Sequence, residues 1–234
     1  MESKVRRRPR ATAVANRRAI LRAAVEVFST YGYEGTATRA IAKKARLEHG
    51  HLAKYFNTKE ALWQAAIEEL QGDILGILDD GLRRVDLKHP LAAARAVLPD
   101  LLRFFAVNHR LTRLMLQEFS ITSPRHDWLV SQIGRPIWRR LQPVLEALHA
   151  RDRSLGRDPT FSYFALIGSA LLFFGSSSEV RTIAGSNPTH PATVEQYIEH
   201  ILNTILHVRL KATRSRKKGA AARRKRRALP NGNH

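Results

Sequence analysis

Apolar residues recur at three- and four-residue intervals along most of this 234-residue chain, and no useful run alternates with the two-residue period of a β-strand. The first such segment carries Ile20, Ala24 and Phe28 on one side, with Asn16 suited to an N-cap before it and Gly32 suited to a stop after it. We therefore expect the first helix over residues 16–31.

The stretch from Thr36 to Lys59 predicts two short helices joined by a tight turn. Ile41, Leu47 and Leu52 fall on the inner side of this unit, while basic and hydrogen-bonding side chains fall on the outer side. A helix, a turn of three or four residues and a second helix that is exposed and basic form the geometry of proteins that read the major groove of DNA.

The rest of the chain indicates further helices separated by proline-containing breaks. A fourth helix begins at Asn57, where Glu60 completes a capping-box spacing, and runs towards Gly81. Pro136 and Pro143 predict a kink or break in a later helical stretch. The pattern as a whole predicts an all-α fold with about nine helices.

The last two helices are expected over residues 160–175 and 192–210. The first of them is apolar nearly all round, which indicates burial on every side. Its uncharged run, residues 161–175, falls short of the roughly 20 residues that a membrane span needs. We therefore expect a buried helix and no membrane span.

The formal net charge of +20 is concentrated at the two ends of the chain. Residues 1–60 carry +9 and residues 209–234 carry +11, whereas the stretch between them is neutral. Basic ends on a neutral body point to a polyanionic partner that meets the ends. We expect a basic flexible arm over residues 1–15 and a basic disordered tail over residues 211–234, which either contact DNA phosphates or are plain solvated segments.

Composition excludes several classes of function. The chain has no cysteine, so disulfides and thiolate metal sites are absent, and its basic N-terminus is not followed by the apolar run of a signal peptide. No catalytic triad, paired carboxylates, phosphate-binding loop or dinucleotide motif stands out, so we expect no enzyme and no cofactor. His49 and His51 point apart on a short helix, which argues against a metal site. These features favour a cytoplasmic, nucleoid-associated location.

Three segments together resemble the N-terminal DNA-binding domain of TetR-family transcriptional regulators. They are Gly-Tyr-Glu-Gly-Thr at 32–36, Thr-Arg-Ala-Ile-Ala at 38–42, and Leu-x-x-Tyr-Phe-x-x-Lys-Glu-Ala-Leu at 52–62. The resemblance covers about residues 17–63. It implies a helix-turn-helix DNA-binding domain at 16–62, followed at 63–210 by a larger helical domain for ligand binding and dimerisation.

The chain departs from the family pattern at three positions. Arg46 occupies the place of the usual turn glycine, so it must avoid a positive φ or accept strain. His49 and Ala53 replace the usual lysine at the start and the usual aromatic in the middle of the recognition helix. These positions lie outside the predicted core, so they bear on sequence preference and leave the fold unaffected.

The resemblance and the exposed pattern together predict a DNA-binding set. Arg39, His49 and His51 are assigned to base reading, and Thr38, Tyr55 and Lys59 to phosphate contacts. The complete predicted set is Thr38, Arg39, His49, Gly50, His51, Lys54, Tyr55 and Lys59.

The resemblance also implies a homodimer, in which the last two helices of each subunit form a four-helix bundle. The residues expected at that interface are Phe164, Gly168, Leu171, Ile198, Ile201, Leu202 and Ile205.

A ligand cavity in the larger domain is implied in the same way. The residues offered for its lining are Phe105, His109, Met115, Glu118, Trp128 and Trp138. Ordinary core packing explains the same residues. A salt bridge from Glu118 to Arg113 or Arg110 explains that acid equally well.

The function expected from the sequence is that of a homodimeric regulator that binds palindromic double-stranded DNA and responds to a small-molecule effector, most often as a repressor. The alternative is a nucleoid-associated or architectural protein that binds DNA with little sequence preference. The two differ in the ratio of specific to non-specific affinity.

Overall fold

The computed structural model describes residues 9–208, which form α-helices joined by short turns and contain no β-strand. The predicted all-α class is confirmed. Eleven α-helical segments are present over this range, and α7 and α8 are continuous through a π-helical turn at Val130–Gly134. In chain order they are α1 Pro9–Tyr31, α2 Thr38–Lys44, α3 His49–Ala53, α4 Lys59–Arg83, α5 Pro90–Val107, α6 His109–Phe119, α7 Pro124–Leu129, α8 Arg135–Arg151, α9 Pro159–Gly175, α10 Ser177–Ala184 and α11 Pro191–Leu206.

The first helix already includes the seven residues before its predicted start, since it spans Pro9–Tyr31 among the described residues. Asn16 is therefore not a cap but lies within α1, where its amide reaches Tyr55. Residues 9–15 of the predicted flexible arm are helical, and residues 1–8 and the predicted tail at 211–234 lie outside the described residues.

We call α1, α2 and α3 the head and α5 to α11 the body. The helix between them, α4, packs against α1 in the head and against α5 and α8 in the body. Its buried face includes Leu62, Trp63, Ile67, Ile74 and Leu78, each at most 2% exposed. Head and body therefore share one continuous hydrophobic core.

The cap of α4 is Thr58, so the predicted capping box at Asn57 and Glu60 is wrong by one residue. Thr58 has the extended backbone of an N-cap, and its hydroxyl accepts a hydrogen bond from the Ala61 N–H at 3.0 Å. This register leaves Phe56 free to enter the core before the helix starts.

The proline-rich stretch of the body is continuous, with one irregularity. Proline at position 136 supplies no N–H and its ring crowds the carbonyl of Gln132, four residues earlier. The backbone forms the π turn there, and the carbonyl of Gln132 accepts instead from the Gln71 side chain of α4. Pro143 causes no break, since α8 continues to Arg151.

The C-terminal helices differ from the prediction in two ways. The last helix ends at Leu206, where His207 takes a left-handed conformation, and the additional helix α10 follows α9 after a bend. Among residues 9–208, no single helix has both the length and the apolar character needed to cross a bilayer. Only α9 and α10 taken as a pair, bent by 77°, meet that test.

The turn between α2 and α3 is a left-handed helix cap built on Arg46, whose φ is 58°. The Arg46 N–H donates to the Lys43 carbonyl at 3.1 Å, and the Leu47 N–H donates to the Ala42 carbonyl at 2.9 Å. These two bonds satisfy carbonyls at the end of α2, and Leu47 packs against the core. Arg46 thus adopts the conformation for which glycine is usually selected.

Replacing Arg46 with glycine should stabilise the protein. A non-glycine residue in the left-handed region costs about 1–2 kcal/mol, part of which is offset by the greater entropy of glycine in the unfolded chain. We expect the free energy of unfolding to rise by roughly 0.5–1 kcal/mol, measured by urea denaturation. Ala45→Gly, at the neighbouring right-handed position, should lower it instead. Equal or lower stability of Arg46→Gly would show that the turn carries no strain.

Candidate DNA-binding surface

The orientation of α3 is set by the side chains that it buries. Leu52 is 3% exposed and Phe56, just beyond the helix, is 8% exposed, so both anchor its inner side in the head core. His49, Gly50, His51, Ala53 and Lys54 are consequently turned outward and are exposed. The predicted outer face of this helix is therefore brought together on one surface.

His49, the first of the two histidines predicted to contact bases, is linked to α2. The Thr38 hydroxyl lies 3.1 Å from Nε2 of His49, which joins the start of α2 to the start of α3. Arg39, the next residue of α2, is also exposed. Thr38 and His49 are thus in contact, and Arg39 lies exposed beside Thr38 in the chain.

His51, the second histidine predicted to contact bases, is held by an aromatic contact. The ring of His51 stacks on Tyr55 with centroids 5.8 Å apart and an angle of 13° between the planes. The Asn16 amide of α1 lies 3.4 Å from the Tyr55 hydroxyl and donates to it. Asn16 was missed as a site residue because a contact between residues 39 positions apart leaves no local signal in the sequence.

Gly50 lies between the two histidines and faces open space. A Cβ atom added there would meet nothing within 4 Å, so the fold does not demand glycine at this point. What the missing side chain does is let an approaching molecule come close to the backbone of α3.

Lys59, a predicted phosphate contact, also interacts with two residues of its own chain. Its ammonium donates to the Glu34 carbonyl at 3.3 Å and lies 4.4 Å from the centroid of the Tyr33 ring. The charge is thereby fixed beside the start of α4. Two of its three N–H donors remain for a phosphate.

Glu26 joins the helices that support this surface. It lies 2.5 Å from the Lys44 ammonium of α2 and 3.8 Å from the Arg110 guanidinium of α6. The hydrogen bond from Lys44 lowers the pKa of the Glu26 carboxyl, with a further contribution from the charge of Arg110 and an opposing effect of burial.

The residues offered for a ligand cavity lie in separate environments. Phe105 and Met115 are core side chains at 0% and 2% exposure. Trp128 packs on Trp63 at 5.4 Å, and Trp138 packs edge-on against a tyrosine of α9. These four therefore pack within the chain, as core packing alone would require, and their place in a ligand cavity stays a prediction.

Glu118 is also structural. It is buried, and its carboxylate lies 3.3 Å from the Arg125 guanidinium of α7, so its partner is neither Arg113 nor Arg110 as the sequence suggested. His109 differs from the other five because it lines an open cleft of about 530 Å³ between head and body.

Most residues predicted for the dimer interface lie in the core of the single subunit. Leu171, Ile198 and Leu202 are at most 7% exposed, Ile201 is 9% exposed and Ile205 is half-buried. The reason is that α11 turns its apolar side towards α5 and α9 of its own chain. These five residues pack within their own chain, and their place at a subunit interface stays a prediction.

The exposed apolar side of α9 is a stripe at three- and four-residue spacing. Phe161, Phe164 and Leu172 are 75%, 65% and 61% exposed, and Gly168 lies between them on the same side. Of the predicted interface residues, Phe164 and Gly168 are thus placed on an accessible apolar surface.

Comparisons with known proteins match this geometry. The family model for bacterial regulatory proteins of the tetR family matches residues 20–66, which contain α2, α3 and most of α1. The probable HTH-type transcriptional regulator YttP of Bacillus subtilis (strain 168) is 26% identical over 110 residues, which are 47% of this chain and 53% of that protein. The HTH-type transcriptional regulator RutR of Escherichia coli (strain K12) is 39% identical over 56 residues, which are 24% of this chain and 26% of that protein.

The likeness to solved structures extends further. A bacterial regulatory protein in the tetR family from Rhodococcus RHA1 superposes with a TM-score of 0.58 at 21% identity, over 82% of this chain and 96% of that one. At this identity the likeness concerns the fold. The sequence matches to curated relatives span about half the length of YttP and about a quarter of RutR.

Neutralising Glu26 should lower stability in a pH-dependent way. Its folded pKa lies below the ordinary value of 4.5, so its ion pairs stabilise the protein above that pH and lose their effect as pH falls through the folded value. We expect Glu26→Gln to lower the free energy of unfolding at pH 7 by up to about 1 kcal/mol, since the pair is partly exposed.

The difference between parent and Glu26→Gln should vanish in denaturation curves recorded well below pH 4.5. Glu68→Gln is the control, because Glu68 is exposed on α4 and forms no ion pair within residues 9–208. A Glu26→Gln difference that is the same at all pH values would contradict the assigned ion pairs.

Proposed function

We propose that the protein is a sequence-specific transcriptional regulator that binds DNA as a homodimer, because residues 20–66 match the model of the tetR family of bacterial regulatory proteins. The observation that carries the proposal is the surface of α3. Two buried anchors fix this helix, its outer residues are exposed, and His49 and His51 contact Thr38 and Tyr55. An exposed helix of this kind, the second of a helix-turn-helix pair and here α3, fits the major groove.

We assign the contacts by reach and chemistry. Arg39, His49 and His51 carry donors suited to the acceptor atoms of bases, and the open backbone at Gly50 lets the helix approach the groove closely. The remaining members of the predicted set suit the phosphate backbone, which fixes register but carries no sequence information. They are Thr38, Lys54, Tyr55 and Lys59.

Dimerisation is proposed through the apolar stripe on α9. A stripe of aromatic and aliphatic side chains left exposed along one helix is unfavourable in water and suits a self-complementary contact about a two-fold axis. Two subunits paired in this way would present two heads, and a palindromic operator would match their symmetry.

An effector site is proposed in the cleft between head and body. Its volume of about 530 Å³ falls in the usual range of small-molecule sites, roughly 300–1,000 Å³. Burial, and then the charge of Arg110, lower the pKa of His109, which favours the neutral imidazole in the cleft. A ligand that binds one arrangement of head and body more tightly shifts the population towards it.

Specific DNA binding is tested by competition between the region upstream of the chain's own gene and random DNA, at near-physiological salt. We expect the upstream region to be preferred. Arg39→Ala and His49→Ala should each remove about 1–3 kcal/mol of specific binding free energy.

Matched controls are Arg157→Ala and His200→Ala, which remove the same side chains from exposed positions of the body and should leave the preference intact. A parent protein with a specificity ratio near one would contradict sequence-specific regulation. It would favour the architectural alternative instead.

The dimer is tested by introducing a charge into the stripe. Phe164→Glu should convert the protein to monomers in sedimentation velocity, because a buried unpaired carboxylate is unfavourable at an apolar interface. Ile121→Glu is the control, since Ile121 is 64% exposed, close to the 65% of Phe164, but lies in the turn after α6. If both variants keep the mass of a dimer, the interface lies elsewhere.

A further inference from the structure

Arg125 is a residue of the body whose side chain reaches the head. It is the second residue of α7, and the start of that helix is fixed by Ser123, whose hydroxyl accepts from the His126 N–H at 3.1 Å. The guanidinium lies 3.1 Å from a carboxylate oxygen of Glu34, in the loop between α1 and α2, and 3.8 Å from the centroid of the Tyr33 ring.

The same guanidinium is held from the body side by Glu118. The carboxylate of Glu118 is 7% exposed and lies 3.3 Å from Nε of Arg125. A carboxylate this deeply buried requires a paired charge. Glu118 therefore fixes Arg125 in place through Nε, and Nη2 of the same guanidinium is directed to Glu34 of the head.

Glu34 connects this contact to the DNA-binding surface. Its carboxylate accepts a hydrogen bond from the Arg125 guanidinium, and its backbone carbonyl accepts one from the Lys59 ammonium. Tyr33, beside it, carries both cations near its ring, at 3.8 Å for Arg125 and 4.4 Å for Lys59. One short loop therefore joins a body residue to a predicted phosphate contact.

We propose that Arg125 is a positioning residue that clasps the head to the body through Glu34 and Tyr33, with Glu118 as its buried counter-charge, and so sets the angle at which the head meets DNA. This inference rests on the proposed function for its consequence. Two heads must be held at a fixed separation to meet two half-sites. A head that moves freely must be ordered on binding, and the lost conformational entropy lowers the affinity for such a site. Contacts with random DNA by a single head carry no such requirement.

The decisive variant is Glu34→Gln, which removes the head's carboxylate and leaves the buried pair of Arg125 and Glu118 intact. Glu34 is exposed, so the unfolding midpoint should stay at that of the parent. The matched control is Glu68→Gln, the same change at an exposed position of α4 that forms no ion pair among residues 9–208. A second variant, Arg125→Gln with Glu118→Gln, removes the clasp without leaving a buried charge unpaired.

The first readout is the angle of the head and does not involve DNA. The chain has no cysteine, so spin labels at Lys43→Cys in the head and Ala150→Cys in the body are unique. Labelled chains are diluted with excess unlabelled chains so that only distances within a subunit are measured. We expect the head-to-body distance distribution to broaden in Glu34→Gln and in the double variant, and to stay unchanged in Glu68→Gln.

The second readout is the ratio of affinities for the chain's own upstream region and for random DNA. We expect Glu34→Gln to lower this ratio by up to about 5-fold, the most that an exposed ion pair of about 1 kcal/mol can supply, with no further loss when it is added to the double variant. A distance distribution and a ratio equal to those of Glu68→Gln would overturn the clasp. If the parent itself shows no preference, the proposed function fails, and the distance distribution alone decides the clasp.

Discussion

The burial of one face of α4 is the constraint on which the arrangement of head and body depends. Trp63 is fully buried on that face, edge-on to Tyr33 of the head at 6.2 Å and 5.4 Å from Trp128 of the body. Large aromatic side chains dominate the energetics of a core, so neither neighbour can move away without exposing Trp63. Core packing therefore limits how far the head can turn against the body, and the ion pairs of Arg125 and Arg110, which lie around this shared core, restrain the motion that remains.

Helical periodicity made the fold class predictable, because a repeat of 3.6 residues is visible in the sequence as the spacing of apolar positions. The ends of helices were less predictable. Asn57 and Thr58 both suit a cap, and only the three-dimensional register of Phe56 and Leu62 decides between them. The π turn needed Pro136 and its distant partner Gln71 at once, a pairing that no local pattern contains.

The exposed face of α3 was predictable because it lies opposite the buried anchors Leu52 and Phe56. An interface was not predictable where two surfaces compete for the same apolar residues. Ile198 and Leu202 suit a subunit interface and a core equally well in sequence, and packing against α5 and α9 assigns them to the core. The roles of Asn16 and Arg125 depend on contacts 39 and 91 residues apart, which periodicity cannot reveal.

In the proposed dimer, α3 of each head enters the major groove at its own half-site. A hydroxyl-radical footprint on the region upstream of the chain's own gene measures this arrangement. We expect two protected patches on one face of the duplex, separated by about one helical turn, roughly 10–10.5 base pairs, or somewhat more. Uniform protection with no helical phase would contradict this arrangement.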